Sequence, residues 1–281
     1  MIKKVSNVVI TIRKRRALIM KESVMRLAID AKLVSNRRFC QWLSAVSEKH
    51  CDKMSIETIL FSSSSMKLMP LVASFQEFGV IFNQVFHTNK KMKTALLAEI
   101  QPDILFADNK NSILLEAAFK SSVAACTIEN DDLKPKFNRM HLVFDADAVL
   151  FSDEAEQVNL KYGFEKFDEH EWDKREQLLP SGPLFSFIKK INIMQKHNID
   201  VQWSLLTARS GRALFRAIKT IEHWQLEPAH MFFMSGGDKS TVLKSLDAHI
   251  FFDDKHEHCQ AAKPYAIAVH VPMGLNINVS K

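Results

Sequence analysis

Short apolar runs recur along the chain and are separated by stretches with the three- and four-residue spacing of an amphipathic helix. The runs predict strands near Arg26 to Ile29, Thr58 to Ser62, Ile104 to Phe106, His141 to Phe144, Trp203 to Leu206, Met231 to Met234 and His249 to Phe252. Ala213 to Trp224 exemplifies the helical stretches, with Leu214, Ile218 and Ile221 on one face. Strands that alternate with helices in this way predict an α/β fold, a parallel sheet flanked by helices.

The pattern also repeats. Leu27 to Ala31 matches Leu142 to Ala146, Ile59 to Ser62 matches Ser204 to Thr207, and Ile104 to Phe106 matches Ile250 to Phe252. The first match is offset by 115 residues and the later ones by 145 and 146, so the second half carries about 30 extra residues between its first and second strands. An insertion there would make a small cap. The expected division is an N-terminal α/β repeat over residues 1–137 and a second unit over 138–281, with the cap at about 155–198. The first copy has Lys32, Ser62 and Ala107 with Asp108 where the second has Asp147, Thr207 and the pair Asp253 and Asp254. The first half is therefore expected to be degenerate.

Four elements of the second half carry candidate chemistry, each following an apolar strand. Asp145 and Asp147 are one residue apart at a strand end, so both can face the pocket that open α/β sheets form at their carboxyl edge. Thr207-Ala208-Arg209-Ser210 offers a hydroxyl, free amides and a guanidinium for a phosphate oxygen, although Thr207 could equally cap the helix beginning near Gly211. Gly236, Gly237 and Lys239 supply close backbone approach and a point charge. Asp253 and Asp254 are adjacent acids. Carboxylates about 4 Å apart repel by on the order of 4 kcal/mol at an effective dielectric near 20. Four of them around a phosphate need a hard divalent cation, above all Mg²⁺, aided by Lys239 and Arg209. His256 and His258 suit a metal pair poorly and are expected to flank the acidic motif at a helix start.

Composition changes this picture little. The net charge of +6 comes from scattered residues apart from Arg13 to Arg16, which fits a small anionic substrate and gives no footprint for nucleic acid. Cys40, Cys51, Cys126 and Cys259 show neither disulfide nor zinc spacing. No apolar run is long enough for a membrane span, so a soluble, cytoplasmic chain is expected; the basic opening, free of acids before Glu22, faintly resembles an organellar transit peptide.

Taken in order, Asp-x-Asp, Thr, Lys and Asp-Asp resemble the four motifs of the haloacid dehalogenase superfamily. The stretch from His141 to Pro272 is more closely similar to the cytosolic 5′-nucleotidase I family, through the strings Phe144 to Glu154, Tyr162 to Glu171, Gly182-Pro-Leu, Leu206 to Ser210 and His249 to Asp254. The resemblance implies a Rossmannoid sheet with a cap, and hydrolysis of a nucleoside 5′-monophosphate through an aspartyl-phosphate. By it, Asp145 is the nucleophile and Asp147 the acid and base. Mg²⁺ is held by the Asp145 carboxylate, the Asp147 carbonyl and the acidic pair, with Asp254 the direct ligand and Asp253 behind it. Thr207, Ala208, Arg209, Ser210, Gly236, Gly237 and Lys239 grip the phosphate. Phe164, Phe167, His170 and Trp172 in the cap are candidates to stack on a base. A sugar phosphatase and a nucleotide sensor without turnover are the rival readings, and whether copies of the chain form a homo-oligomer stays open.

Overall fold

The computed structural model describes residues 24–49, 54–108, 112–128 and 140–272. Cys51, the Arg13 to Arg16 run, the basic opening and the expected boundary near residue 137 lie outside the described residues.

Among the described residues, ten strands form one sheet: β1 (Val24–Asp30), β2 (Ser55–Ser63), β3 (Gln84–Thr88), β4 (Ile104–Asp108), β5 (Ala125–Ile128), β6 (Met140–Phe144), β7 (Val201–Thr207), β8 (His230–Phe233), β9 (Ile250–Asp253) and β10 (Ile267–His270). Their order is β3-β2-β1-β4-β5-β10-β9-β6-β7-β8. All neighbours pair in parallel except β5 and β10. Both faces of the central strands are covered, which is why β6 and β9 are buried along their whole length and read as mainly apolar rather than alternating. The fold is the expected α/β class, with seven anticipated strands in place and β3, β5 and β10 in addition.

The sheet order is a palindrome of the repeat. Each half lays down its strands in the same relative order, and the halves meet at the antiparallel pairs Val269–Ile128 and His270–Thr127. One side of the sheet carries a core shared by both halves, in which Phe144 and Phe252 stack at 4.6 Å and Phe106 lies 6.3 Å from Phe252. On the other side each half has its own cluster, around Phe61 and Leu105 in the first and around Leu206 and Phe251 in the second.

Between β6 and β7 the chain makes a tight turn (Ala146–Leu150) and then two helices, Glu154–Tyr162 and Phe164–Asp173. A third helix, Phe185–Lys196, buries Phe187, Ile188, Ile191 and Met194 in the shared core. Its apolar face packs this third helix on the sheet, and the insert of two helices before it ends at Ser181. Its neck is a bridge between Phe151 and Ser181. Gly182 follows, where a Cβ would stand 2.2 Å from the Phe151 carbonyl oxygen and 2.5 Å from that of Val149. Backbone atoms cannot yield as a side-chain tip can, so Gly182→Ala is expected to lower unfolding stability by about 2 kcal/mol or more. Urea denaturation of the two proteins measures it, and an unchanged midpoint would show that the neck is not tightly packed.

Candidate active site

Strands β6, β7, β8 and β9 are neighbours, so the residues at their carboxyl ends converge. Asp145 follows β6, Thr207 ends β7, Asp253 ends β9, and Lys239 precedes the helix Ser240–Ser245. The Asp145 amide donates to the Phe252 carbonyl at 2.8 Å, which ties the first acid to the strand of the second. Carboxylate oxygens of Asp145, Asp253 and Asp254 lie within 4.8 Å of one another, all three residues being buried. Lys239, itself 6% exposed, sits between two of them: its Nζ is 2.8 Å from Asp145 Oδ1 and 2.7 Å from Asp253 Oδ2.

The two adjacent acids differ in their surroundings. Asp253 accepts from Lys239, from the Lys255 amide at 2.8 Å and from His258 Nδ1 at 3.0 Å. Asp254 Oδ2 is buried and, among the described residues, has no hydrogen-bond partner. Burial first, then the charges of Asp145 and Asp253, push the Asp254 carboxyl up to about 8. Burial also raises Asp145, to about 6, against the opposing pull of Lys239. Asp253 is lowered instead, because Lys239 and His258 together outweigh the effect of burial. An orphaned, buried carboxylate oxygen beside two more carboxylates is a donor set of hard oxygens short of one positive charge.

Asp147 occupies a second tier. Its carboxylate is not part of the three-acid cluster but receives both arms of the Arg209 guanidinium, at 2.7 and 2.8 Å. Arg209 also donates to Glu171, a fully buried cap residue, which in turn accepts from Arg216 at 2.8 Å. The guanidinium expected to reach a phosphate is thus engaged with carboxylates. The Arg209 amide donates to Thr207 Oγ1 at 3.1 Å, which leaves the threonine hydroxyl proton available to an anion.

Above these groups lies a cavity of about 280 Å³ lined by Asp147, Ala208, Arg209 and Gly236 from the core and by Glu156, Asn159, Phe164 and Phe167 from the cap, with Lys255 and His258 at its side. Gly236, at φ +74°, turns the loop so that its amide donates to the Ala208 carbonyl at 3.2 Å. Ser210 and Gly237 stand one step back: the Ser210 carbonyl accepts from the Ala213 amide, and the Gly237 amide donates to the Met234 carbonyl. Of the four aromatic candidates, Phe164 and Phe167 face the cavity. His170 lies against Glu154 and Glu171, and Trp172 packs on Phe215 and Arg175. His256 and His258 do open a helix after the acidic motif, and His258 also contacts Asp253.

Three contributors had no separate signal in the sequence. Glu171 is one acid among many in a charged helix, and only its burial against two arginines singles it out. Lys255 pairs with Glu156 of the cap at 2.9 Å, and Asn159 lines the cavity from the same helix. A charged residue next to Asp254 and a cap polar residue are legible only once the cap is in place.

A family model described as 5′-nucleotidase matches residues 39–278. Human (Homo sapiens) cytosolic 5′-nucleotidase 1B is 28% identical over 204 residues, which are 69% of this chain and 33% of that protein. The chain thus spans about a third of the length of that curated relative. Two solved structures match at low similarity. The S. aureus MnaA-UDP co-structure matches at a TM-score of 0.28 and 7% identity, covering 86% of this chain and 77% of that one. A Thermobaculum terrenum O-GlcNAc transferase mutant matches at 0.28 and 8%, covering 87% and 52%. Neither carries an argument about the site. The family model, which covers most of a chain whose acids converge at one sheet edge, shows that this protein belongs to the 5′-nucleotidase family.

Proposed function

We propose that this protein hydrolyses nucleoside 5′-monophosphates to nucleoside and phosphate through a phosphoryl group carried on Asp145. One observation bears most of the weight: three carboxylates are buried together, one lysine pairs with two of them, and Asp254 Oδ2 is left unsatisfied. The donor set fits Mg²⁺, which Asp145 and Asp254 would hold directly, with the Asp147 carbonyl as a further ligand and Asp253 behind, already committed to Lys239 and His258. When bound, the ion would neutralise the cluster and offset charge on the phosphoryl oxygens.

The remaining chemistry belongs to the chain. An Asp145 oxygen attacks phosphorus as the bond to the 5′ oxygen breaks, and Asp147 passes its proton to that leaving oxygen. Asp147 then takes a proton from water, whose oxygen attacks phosphorus and breaks the bond to Asp145. Because both Asp147 oxygens accept from Arg209 in the structure, the carboxyl group has to release one arm of the guanidinium to do this. Thr207 Oγ1, the amides of Ala208 and Ser210 and Lys239 meet the phosphoryl oxygens. The cap excludes water, and Phe164 and Phe167 offer flat apolar surface to a base. The substrate class rests on the family and on the human relative's name; that name also motivates placing the activity in the cytosol.

Phosphate release from a panel of nucleoside monophosphates, glucose 6-phosphate and p-nitrophenyl phosphate tests the reading. Release is expected with Mg²⁺, absent with EDTA, confined to nucleotides, and about a thousand-fold slower in Asp145→Asn, a loss of about 4 kcal/mol of barrier stabilisation. Turnover of sugar phosphates alone would overturn the substrate, and an active Asp145→Asn protein would overturn the nucleophile.

Metal-free stability gives a second test. A carboxyl raised from 3.8 to about 8 contributes stability that is fully present below its unfolded pKa and is lost as pH rises through its folded one. Metal-free wild type should therefore lose stability between about pH 4 and pH 8 through Asp254, and Asp254→Asn should remove that slope and be the more stable protein at about pH 8. Denaturation in EDTA at both ends of the window reads it. Added Mg²⁺ at about 100 times its Kd should raise wild-type stability by about 2.7 kcal/mol and Asp254→Asn far less.

A further inference from the structure

Strand register fixes equivalences between the halves that the short apolar matches leave open. Leu27 pairs with Thr58 on one side and Ile104 on the other, as Leu142 pairs with Trp203 and Ile250. Asp30 therefore stands where Asp145 stands, and Ser62 where Thr207 stands. Leu60 pairs with Val85 as Leu205 pairs with Met231, and Val85 and Met231 are 146 residues apart. The same offset, carried on without a gap, places Lys93 at Lys239 and Asp108 at Asp254. The first half thus keeps the nucleophile-type acid, the hydroxyl, the lysine and the last acid of the catalytic edge. It differs at two of the acids, Lys32 for Asp147 and Ala107 for Asp253, and the same offsets place Ser64 at Arg209 and Lys90 and Lys91 at Gly236 and Gly237.

These residues also meet in space. Asp30 is buried, with its oxygens accepting from the Lys32 and Asp108 amides, both at 3.2 Å. Ser62, also buried, bonds His87 Nδ1 at 2.8 Å. Lys93 is only 5% exposed, and its ammonium makes no hydrogen bond or ion pair among the described residues. Burial lowers its pKa, Asp30 opposes that shift, and Lys32 reinforces it, so both charges lie close by. A cation carried on a buried side chain and left without an ion pair can take an anion as its partner.

We propose that the carboxyl edge of β1, β2 and β4 is a second phosphate-binding site that holds its ligand without hydrolysing it. Lys93 and Lys32 supply the positive charge and Ser62 a hydroxyl. The exchange of Asp147 for Lys32 removes the acid and base while adding a cation, and the exchange of Asp253 for Ala107 removes one of the acids that would repel the ligand, leaving Asp108 and an Asp30 whose oxygens are already held by two backbone amides. The ligand is a phosphate group, either free orthophosphate or the terminal phosphate of a nucleotide. This choice of ligand class rests on the phosphate-holding role proposed for Lys239.

Equilibrium dialysis of the Mg²⁺-loaded full chain against labelled orthophosphate, and separately against a nucleoside diphosphate, tests it. Wild type is expected to bind one more phosphate per chain than Lys93→Met, while Lys93→Met keeps turnover of nucleoside monophosphate within about two-fold. Lys239→Met is expected to lose turnover and retain the Lys93-dependent ligand. Removing an unpaired buried charge should leave Lys93→Met folded, which a melting curve checks. If it does not fold, Lys32→Asp, at an exposed position, should weaken the same binding about ten-fold, equivalent to about 1.4 kcal/mol. Saturation by orthophosphate identifies the free ion, and saturation by the diphosphate alone identifies a nucleotide. Equal stoichiometry in wild type and Lys93→Met, or binding of neither probe beyond the catalytic edge, overturns the proposal. A wild type without turnover that still shows the Lys93-dependent ligand would sink the catalytic reading and leave this one standing.

Discussion

Three carboxylates buried within 4.8 Å of one another repel, and one lysine cannot neutralise them. Lys239 compensates Asp145 and Asp253 and leaves Asp254 with an oxygen that nothing in the described protein satisfies. The fold brings this about in spite of its cost: β6 and β9 are paired central strands held by stacked Phe144 and Phe252, so the acids at their ends cannot separate. A site kept short of positive charge by a rigid sheet suits the cation and the phosphoryl group proposed for it, because binding would relieve a repulsion that the fold holds in place.

The cap is bound to this edge by charge as well as by chain. Glu171 accepts from Arg209 and Arg216, and Arg209 grips Asp147. The acid and base of the proposed mechanism is therefore set by a residue of the cap through one guanidinium. Glu156 and Lys255 form a second link beside Asp254. Both links cross the cavity boundary, so displacement of the cap by a ligand would reach Asp147 and the acidic pair directly. The neck at Phe151, Ser181 and Gly182 leaves little room for the cap to move except as a unit.

Much of this was legible in the sequence because central strands of a parallel sheet are apolar throughout and end in their functional residues. β3 escaped because Gln84–Thr88 is an edge strand with a mixed, largely exposed pattern, and β5 because Ala125–Ile128 is made of small and polar residues before its one large apolar residue. The order of Asp145, Thr207, Lys239 and Asp254 could be read directly, whereas the commitment of Arg209 to Asp147 and Glu171 could not, since it depends on how the cap folds back. Lys93 shows the converse: its offset from Lys239 is plain in the chain, but only strand register gives that offset meaning.

The central claim is that Asp145 carries the phosphoryl group. The most direct measurement is to quench the Mg²⁺-loaded protein during turnover of a nucleoside monophosphate, reduce it with borohydride and map the modified residue by peptide mass spectrometry. The account predicts reduction of the acyl phosphate at Asp145 alone, dependent on substrate. Modification at Asp147 or Asp254, or steady turnover with no trapped residue at Asp145, would contradict it.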